Sequence, residues 1–322
     1  MRVLELLNLE TGAPISALIR IIANAPKRYK EYDIPKRSGG SRRIAHPAKE
    51  LKVLQRAVLK EFLEPCPVSE VATAYVKDRG ILYNAKEHVG QRWILKLDFS
   101  NFFHSLKPID WDRAVLRIPE LNHLKADKEI LHRLLFWGQG SPDPKCLSIG
   151  APTSPLVSNL ICHKLDEWLS GAAGERGLKV TRYADDITVS GSNVPQLTRF
   201  ESDLKRTLKG NRGLNLTFND QKRGLYGPGQ RKLVTGLVLT PDGRISIGRE
   251  RKREIQALVH RYSLGQLDLD MTMRAKGLMA FAYSIEKNFF RTIEEKHGEE
   301  LVKSLMATFQ EPDPQYENPD FI

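Results

Sequence analysis

The feature that most narrows the fold is a pair of adjacent acids, Asp185 and Asp186, set between two short β-prone runs at residues 180–182 and 187–189. Tyr183-Ala184-Asp185-Asp186 between those runs has the length and chemistry of a tight hairpin. A second strand is written upstream, where Trp93, Leu95, Leu97 and Phe99 alternate with Ile94, Lys96 and Asp98, placing Asp98 on the face opposite the larger apolar groups. In a straight strand Asp185 and Asp186 face opposite ways, so it is the turn that lets both approach Asp98. An Asp-Asp dipeptide by itself reads only as a turn former. Three carboxylates gathered by folding would repel and raise one another's pKa, whereas divalent cations convert the same group into a favourable oxygen-ligand site, with magnesium the natural occupant. Two such ions suit in-line nucleotidyl transfer.

The rest of the chain alternates strands and helices. Lys36 to Ile44 carry Gly39-Gly40 between basic flanks, as a protruding β-hairpin does. Leu51, Leu54, Val58 and Phe62 recur at helical spacing. Ser154 reads as an N-cap with Pro155 in the first turn, ahead of a buried stripe of Val157, Ile161, Leu165 and Leu169. Leu197, Phe200, Leu204 and Leu208 mark another amphipathic helix, and residues 214–218 read as a strand. Residues 234–240 and 244–247 pair across Pro241-Asp242-Gly243, and from Arg249 onward the pattern is helical, suggesting a separate lobe.

Lys and Arg number 50 against 39 Asp and Glu, a net charge of +11, which favours a polyanionic partner, nucleic acid first, although soluble basic proteins also exist that bind nothing specific. Arg244, Arg249, Arg251, Lys252, Arg253 and Arg261 supply enough cations for an RNA backbone or, equally, a solvated helix face. Glu5 and Glu10 interrupt any secretory apolar core and no run is long enough to span a bilayer, so a cytoplasmic protein with no membrane partner is expected. Cys66, Cys146 and Cys162 lack the spacing of a disulfide framework or zinc knuckle. Residues 311–322, proline-rich and acidic, read as a loose tail.

Arg182-Tyr183-Ala184-Asp185-Asp186 resembles the YxDD box of reverse transcriptases, and Asp98-Phe99-Ser100-Asn101-Phe102-Phe103 resembles the first catalytic aspartate motif of that family. Gly150-Ala151-Pro152-Thr153-Ser154-Pro155 resembles its QGxxxSP box, with Ile149 where Gln is usual. The resemblance implies an α+β right-hand polymerase, with fingers, a palm of antiparallel sheet plus helices, and a helical thumb. Its expected divisions are a helical segment at 1–35, fingers and palm at 36–240, an RNA-binding thumb at 241–310 and the tail. It assigns catalysis to Asp98, Asp185 and Asp186, and two Mg2+ ions to those acids with Phe99. It assigns nucleotide contacts to Lys36, Arg42, Phe103, Gly150 and Lys222, with Arg37 less securely placed. Phe103 would block a ribose 2′-hydroxyl, though a core Phe is the competing reading; Arg42 would face the triphosphate, and Lys222 the leaving pyrophosphate.

Asn84-Ala85-Lys86-Glu87-His88 resembles the NAxxH signature, and Val234-Thr235-Gly236 the VTG triplet, of retron reverse transcriptases. The resemblance places Asn84, His88, Val234, Thr235 and Gly236 with the RNA contacts of Arg249, Arg251, Lys252 and Arg253; His88 also reads as a buried structural histidine. It implies a bacterial RNA-directed DNA polymerase that uses deoxynucleoside triphosphates to copy part of a cognate structured non-coding RNA. Priming from a guanosine 2′-hydroxyl would leave a branched RNA-linked DNA, msDNA, and a separately encoded effector would serve antiphage defence. The alternatives are a group II intron or abortive-infection type of reverse transcriptase, for whose extra domains 322 residues leave little room, and an RNA-binding protein with a vestigial polymerase fold. A Ser/His/Asp hydrolase is disfavoured because no histidine lies in a nucleophile-elbow context.

Overall fold

The computed structural model describes residues 2–36, 39–210 and 214–308. Arg37 and the tail at 311–322 lie outside the described residues. The chain forms two compact units, parting between Gln230 and Arg231.

The first unit begins with α1 (Val3–Thr11) and α2 (Ile15–Asn24), whose Val3, Leu6, Leu7, Leu18 and Ile22 are buried. Among the described residues no single helix is long and apolar enough to cross a membrane. Next come β1 (Tyr29–Pro35) and β2 (Ser41–Pro47), an antiparallel hairpin running from Tyr29 opposite Pro47 to Pro35 opposite Ser41. The expected hairpin at residues 36–44 therefore starts earlier, inside the stretch expected to be helical. Its outer half is exposed along both strands, so no burial period marked it.

α3 (Lys49–Val58) buries Leu51, Leu54 and Val58, and a single π turn carries the chain on past Phe62. After α4 (Ile81–Lys86) comes β3 (Trp93–Asp98), then the short helices α5 (Phe102–Ser105), α6 (Pro108–Arg117) and α7 (Lys128–Leu135). α8 (Ser154–Gly174) follows, then the hairpin of β4 (Lys179–Tyr183) and β5 (Asp186–Gly191), α9 (Val194–Lys209) and β6 (Gly224–Tyr226). The sheet order is β4-β5-β3-β6, all antiparallel. β3 is thus flanked on both sides, and its Ile94, Leu95 and Leu97 join Ile187 and Val189 in burial. Each such side chain removed from water contributes about 1.5–3 kcal/mol.

Two local expectations change. Ser154 is the first helical residue of α8 rather than its N-cap; Thr153 holds the cap position, and neither hydroxyl makes a capping bond. Residues 214–218 are not a strand: their extended pairing is the bridge of Phe218 to Phe99, with the Ser100 N–H donating to the Thr217 carbonyl.

The second unit has its own core. β7 (Lys232–Val234), β8 (Leu237–Leu239) and β9 (Ile245–Ser246) form a meander, followed by α10 (Arg249–Ser263), α11 (Leu269–Ile285), α12 (Lys287–His297) and α13 (Glu299–Ala307). Ile255, Leu258, Val259, Met279, Phe289, Ile293 and Leu305 pack together. The strand expected at 234–240 is broken at Thr235 and Gly236, whose φ values of 46° and 79° make the two-residue turn joining β7 to β8.

Candidate active site

Antiparallel pairing brings the acids together. β3 and β5 run in register from Trp93 opposite Gly191 to Asp98 opposite Asp186. Tyr183 pairs with Asp186, which leaves Ala184 and Asp185 as a two-residue turn. Ala184 takes a left-handed φ of 55° and is buried. The Phe99 N–H donates to the Asp185 carbonyl at 3.0 Å, locking the turn to the end of β3. Phe99 itself lies in the core, stacked on Phe218 at 4.9 Å and on Phe102 at 6.1 Å.

Burial and like charge strain this cluster electrostatically. Burial, then the charge of Asp98, pushes the Asp185 carboxyl above the usual carboxylate range. Asp186 is pushed up to about 6 by burial, with Asp185 and Asp98 adding to the shift and Lys96 opposing it. The Lys222 ammonium supplies part of the compensation, donating to Asp98 Oδ2 at 2.8 Å. The Asn219 N–H holds the Asp98 carbonyl at 2.8 Å and fixes the turn that carries Lys222. Burial opposes the charge on Lys222, but the Asp98 hydrogen bond and the three acids keep its pKa above the ordinary lysine value. Among the described residues no set of three His, Cys, Asp or Glu side chains is grouped to hold a metal ion as it stands. The donors nevertheless suit a hard cation: they are carboxylate oxygens, two of them desolvated and mutually repelling.

Behind the turn lies a buried ion pair that sequence reasoning missed. The Arg182 guanidinium takes both Asp166 oxygens at 2.6 Å, donates to Asn159 Oδ1 at 3.1 Å and reaches the Ala184 carbonyl at 3.1 Å. Arg182 and Asp166 are both fully buried. Asn159 and Asp166 lie two helical turns apart on α8. That polar pair within a helix otherwise rich in apolar residues was the available signal.

The proposed nucleotide contacts fall unevenly. Phe103 is half-buried, edge-on to Phe102 at 5.3 Å. Arg42 is exposed on β2, and its charge is felt at Asp185. Lys36 is exposed at the hairpin end, its N–H donating to the Gly40 carbonyl. Arg43 instead pairs with Glu31 and Asp33. Gly150, at φ 122°, makes its close approach to β2: an added Cβ would sit 3.1 Å from the Ala45 carbonyl, next to the bond from the Ala45 N–H to the Ile149 carbonyl. That contact explains the glycine without a ligand.

Several proposed RNA contacts are corrected. Asn84 is buried and accepts from the Thr73 hydroxyl at 3.1 Å. His88 is fully buried, its ring nitrogens bonded to Ser190 Oγ at 2.7 Å and Thr181 Oγ1 at 2.8 Å. The NAxxH segment therefore stitches α4 to β4 and β5, and neither side chain reaches the surface. Val234 is fully buried, and Thr235 and Gly236 form the turn after it. In α10, Arg249 and Arg253 are exposed, whereas Arg251 lies over the Phe281 ring at 4.9 Å and Lys252 is paired with Glu286 over the Phe289 ring. Two clefts of about 340 and 450 Å³ lie beside α6 and α8, and neither is lined by an acid of the cluster.

Burial, then the charge of Lys179, pushes His88 down to about 3. An imidazole with a depressed folded pKa contributes its stability fully above the unfolded value near 6.5 and loses it as pH falls toward 3. At about 1.4 kcal/mol per unit the whole span is worth on the order of 5 kcal/mol. We expect urea unfolding to show about 2 kcal/mol of loss from this residue between pH 7 and pH 5. His88→Gln should flatten that limb; an unchanged slope would remove the assignment.

A family model described as reverse transcriptase (RNA-dependent DNA polymerase) matches residues 34–234. The retron Ec83 reverse transcriptase of Escherichia coli is 35% identical over 279 residues, covering 86% of this chain and 89% of its own. The retron Ec86 reverse transcriptase of Escherichia coli is 30% identical over 297 residues, covering 89% and 88%. Among solved structures, apo telomerase from Candida tropicalis overlaps 84% of this chain and 58% of its own, at 12% identity and a TM-score of 0.49. With the model spanning most of the first unit and relatives matched over nearly their whole length, the chain belongs to the retron reverse transcriptases and is an RNA-directed DNA polymerase.

Proposed function

We propose that Asp98, Asp185 and Asp186 are the polymerase centre, and that the chain copies part of a cognate structured RNA from an internal guanosine 2′-hydroxyl to give branched msDNA. The observation that carries the site is the β3–β5 register, which sets Asp98 opposite Asp186 and ties Phe99 to Asp185. Reverse transcriptases depend on divalent metal, and here the three acids, with the main chain of Phe99, would hold two magnesium ions. Such ions lower the pKa of an attacking hydroxyl and neutralise charge on the triphosphate.

The chain's own side chains do the rest. Arg42, exposed on β2, would take phosphate oxygens with its guanidinium fork. Phe103, five positions after Asp98 and half-buried against Phe102, would exclude a 2′-hydroxyl by bulk. Lys222, bonded to Asp98, would assist departure of the pyrophosphate. The first unit supplies fingers and palm. The helices of the second supply the thumb, with Arg249 and Arg253 toward RNA phosphates. We further propose, as the sequence resemblance implies, a bacterial cytoplasmic setting, a separately encoded effector and a role against phage.

The decisive experiment expresses the gene with its flanking genomic region and isolates total nucleic acid. A species whose DNA stays joined to RNA until debranching enzyme is added, and whose RNA portion RNase shortens, is the expected result. Its absence, alongside primer extension on supplied RNA, would leave a reverse transcriptase that does not prime from a branch.

A further inference from the structure

One partly exposed aromatic residue outside every recognised motif packs against Phe103. Tyr75 is 46% exposed. Its φ of 61° is left-handed, a conformation costing a bulky residue on the order of 1–3 kcal/mol and kept only where the surroundings over-determine it.

The surroundings do so here. The Thr73 N–H donates to the Arg182 carbonyl at 2.9 Å, and the Arg182 N–H to the Val71 carbonyl at 2.7 Å. The Ala74 carbonyl accepts from Asn159 Nδ2 at 2.9 Å. Arg79 closes the loop by donating to the Ser69 and Ala72 carbonyls at 2.7 and 3.0 Å. The loop is thus anchored to the same Arg182 and Asn159 that hold the acid-bearing turn, and the Tyr75 it presents stays partly exposed. That ring lies 6.3 Å from Phe103, tilted by 54°. Its phenol is pushed up by burial, then by the charge of Asp185, and eased by Arg42. Tyr75 therefore packs beside Phe103, the proposed sugar gate, within electrostatic reach of Asp185 and Arg42.

We propose that Tyr75 is a nucleotide-contacting residue whose ring, backing Phe103, forms the wall against which the incoming deoxynucleotide packs. The hydrogen bonds that anchor the loop hold the ring in position before the nucleotide arrives, so little ordering is left for binding. The proposal rests on the acid cluster being the polymerase centre, and its test is independent of branch priming.

Tyr75→Asn removes the ring while tolerating positive φ, and Tyr75→Phe keeps the ring. Primer extension on an RNA template with a supplied DNA primer reads KM for each deoxynucleotide, kcat, and the preference over ribonucleotides. Tyr75→Asn should raise the deoxynucleotide KM about tenfold or more, as losing one aromatic stacking contact does, with kcat within about threefold and the thermal midpoint no lower, since Asn relieves the left-handed strain. Tyr75→Phe should match the parent protein. An unchanged KM in Tyr75→Asn, or a Tyr75→Phe variant as impaired as Tyr75→Asn, overturns the ring contact. Phe103→Ala, measured in parallel, should admit ribonucleotides. If Phe103→Ala leaves sugar selection unaltered while Tyr75→Asn raises KM, the gate fails and the Tyr75 contact stands.

Discussion

Asp185→Asn should abolish DNA synthesis while the protein keeps its fold and still co-purifies with RNA. The amide is nearly isosteric, so the turn and the Phe99 bond to the Asp185 main-chain carbonyl persist. What is lost is one of the three anionic ligands proposed for the metal site. Charge stabilisation worth several kcal/mol in the transition state corresponds to at least about a thousandfold in rate. The fold should not suffer, because Asp185 is disfavoured as an anion by burial and by Asp98, and a neutral amide relieves both. Primer extension on RNA and thermal unfolding, measured on the same preparation, separate the two effects. Full activity in the variant would remove Asp185 from the chemistry. Lost activity with a collapsed melting transition would mean only that the turn had failed.

Much of this site was written locally. The alternation around Asp98 and the β-prone runs beside Tyr183 each specified a strand. Antiparallel pairing of those strands then aligned Asp98 with Asp186. The stripe of Val157, Ile161, Leu165 and Leu169 specified α8, because burial with a helical period is legible without knowing the partner. What escaped was long-range or against local preference. Residues 29–35 form a strand that is largely exposed, so nothing in their pattern distinguished it from helix. Thr235 adopts positive φ where Asn or Gly would have signalled a turn. The NAxxH resemblance set Asn84 and His88 with the RNA contacts, although His88 also read as structural; their partners, Thr181, Ser190 and Thr73, are buried polar groups contributed by other segments, which no local pattern names. The pairing of Lys222 with Asp98 spans 124 positions and only tertiary structure reveals it.

The Arg182–Asp166 pair should separate stability from catalysis. Asp166→Asn leaves a buried guanidinium without its counterion, and breaking one side of such a pair costs about 3–5 kcal/mol. Replacing both partners with apolar residues of similar volume, Arg182→Met with Asp166→Leu, should recover most of that loss, since a packed apolar pair does not bear the desolvation of two charges. Recovery will be incomplete because Asn159 Oδ1 loses its donor. Catalysis should not follow stability. With no guanidinium the Ala184 carbonyl loses its 3.1 Å contact, and a left-handed alanine in the acid-bearing turn is freed to relax. Displacement of Asp185 and Asp186 by as little as about 1 Å is enough to lower the rate about a hundredfold. Urea unfolding should therefore place the double variant well above Asp166→Asn, while primer extension leaves it far below the parent protein. A double variant that is both stable and fully active would show that strand pairing alone holds the turn, and that Arg182 serves only to fill the space beneath it.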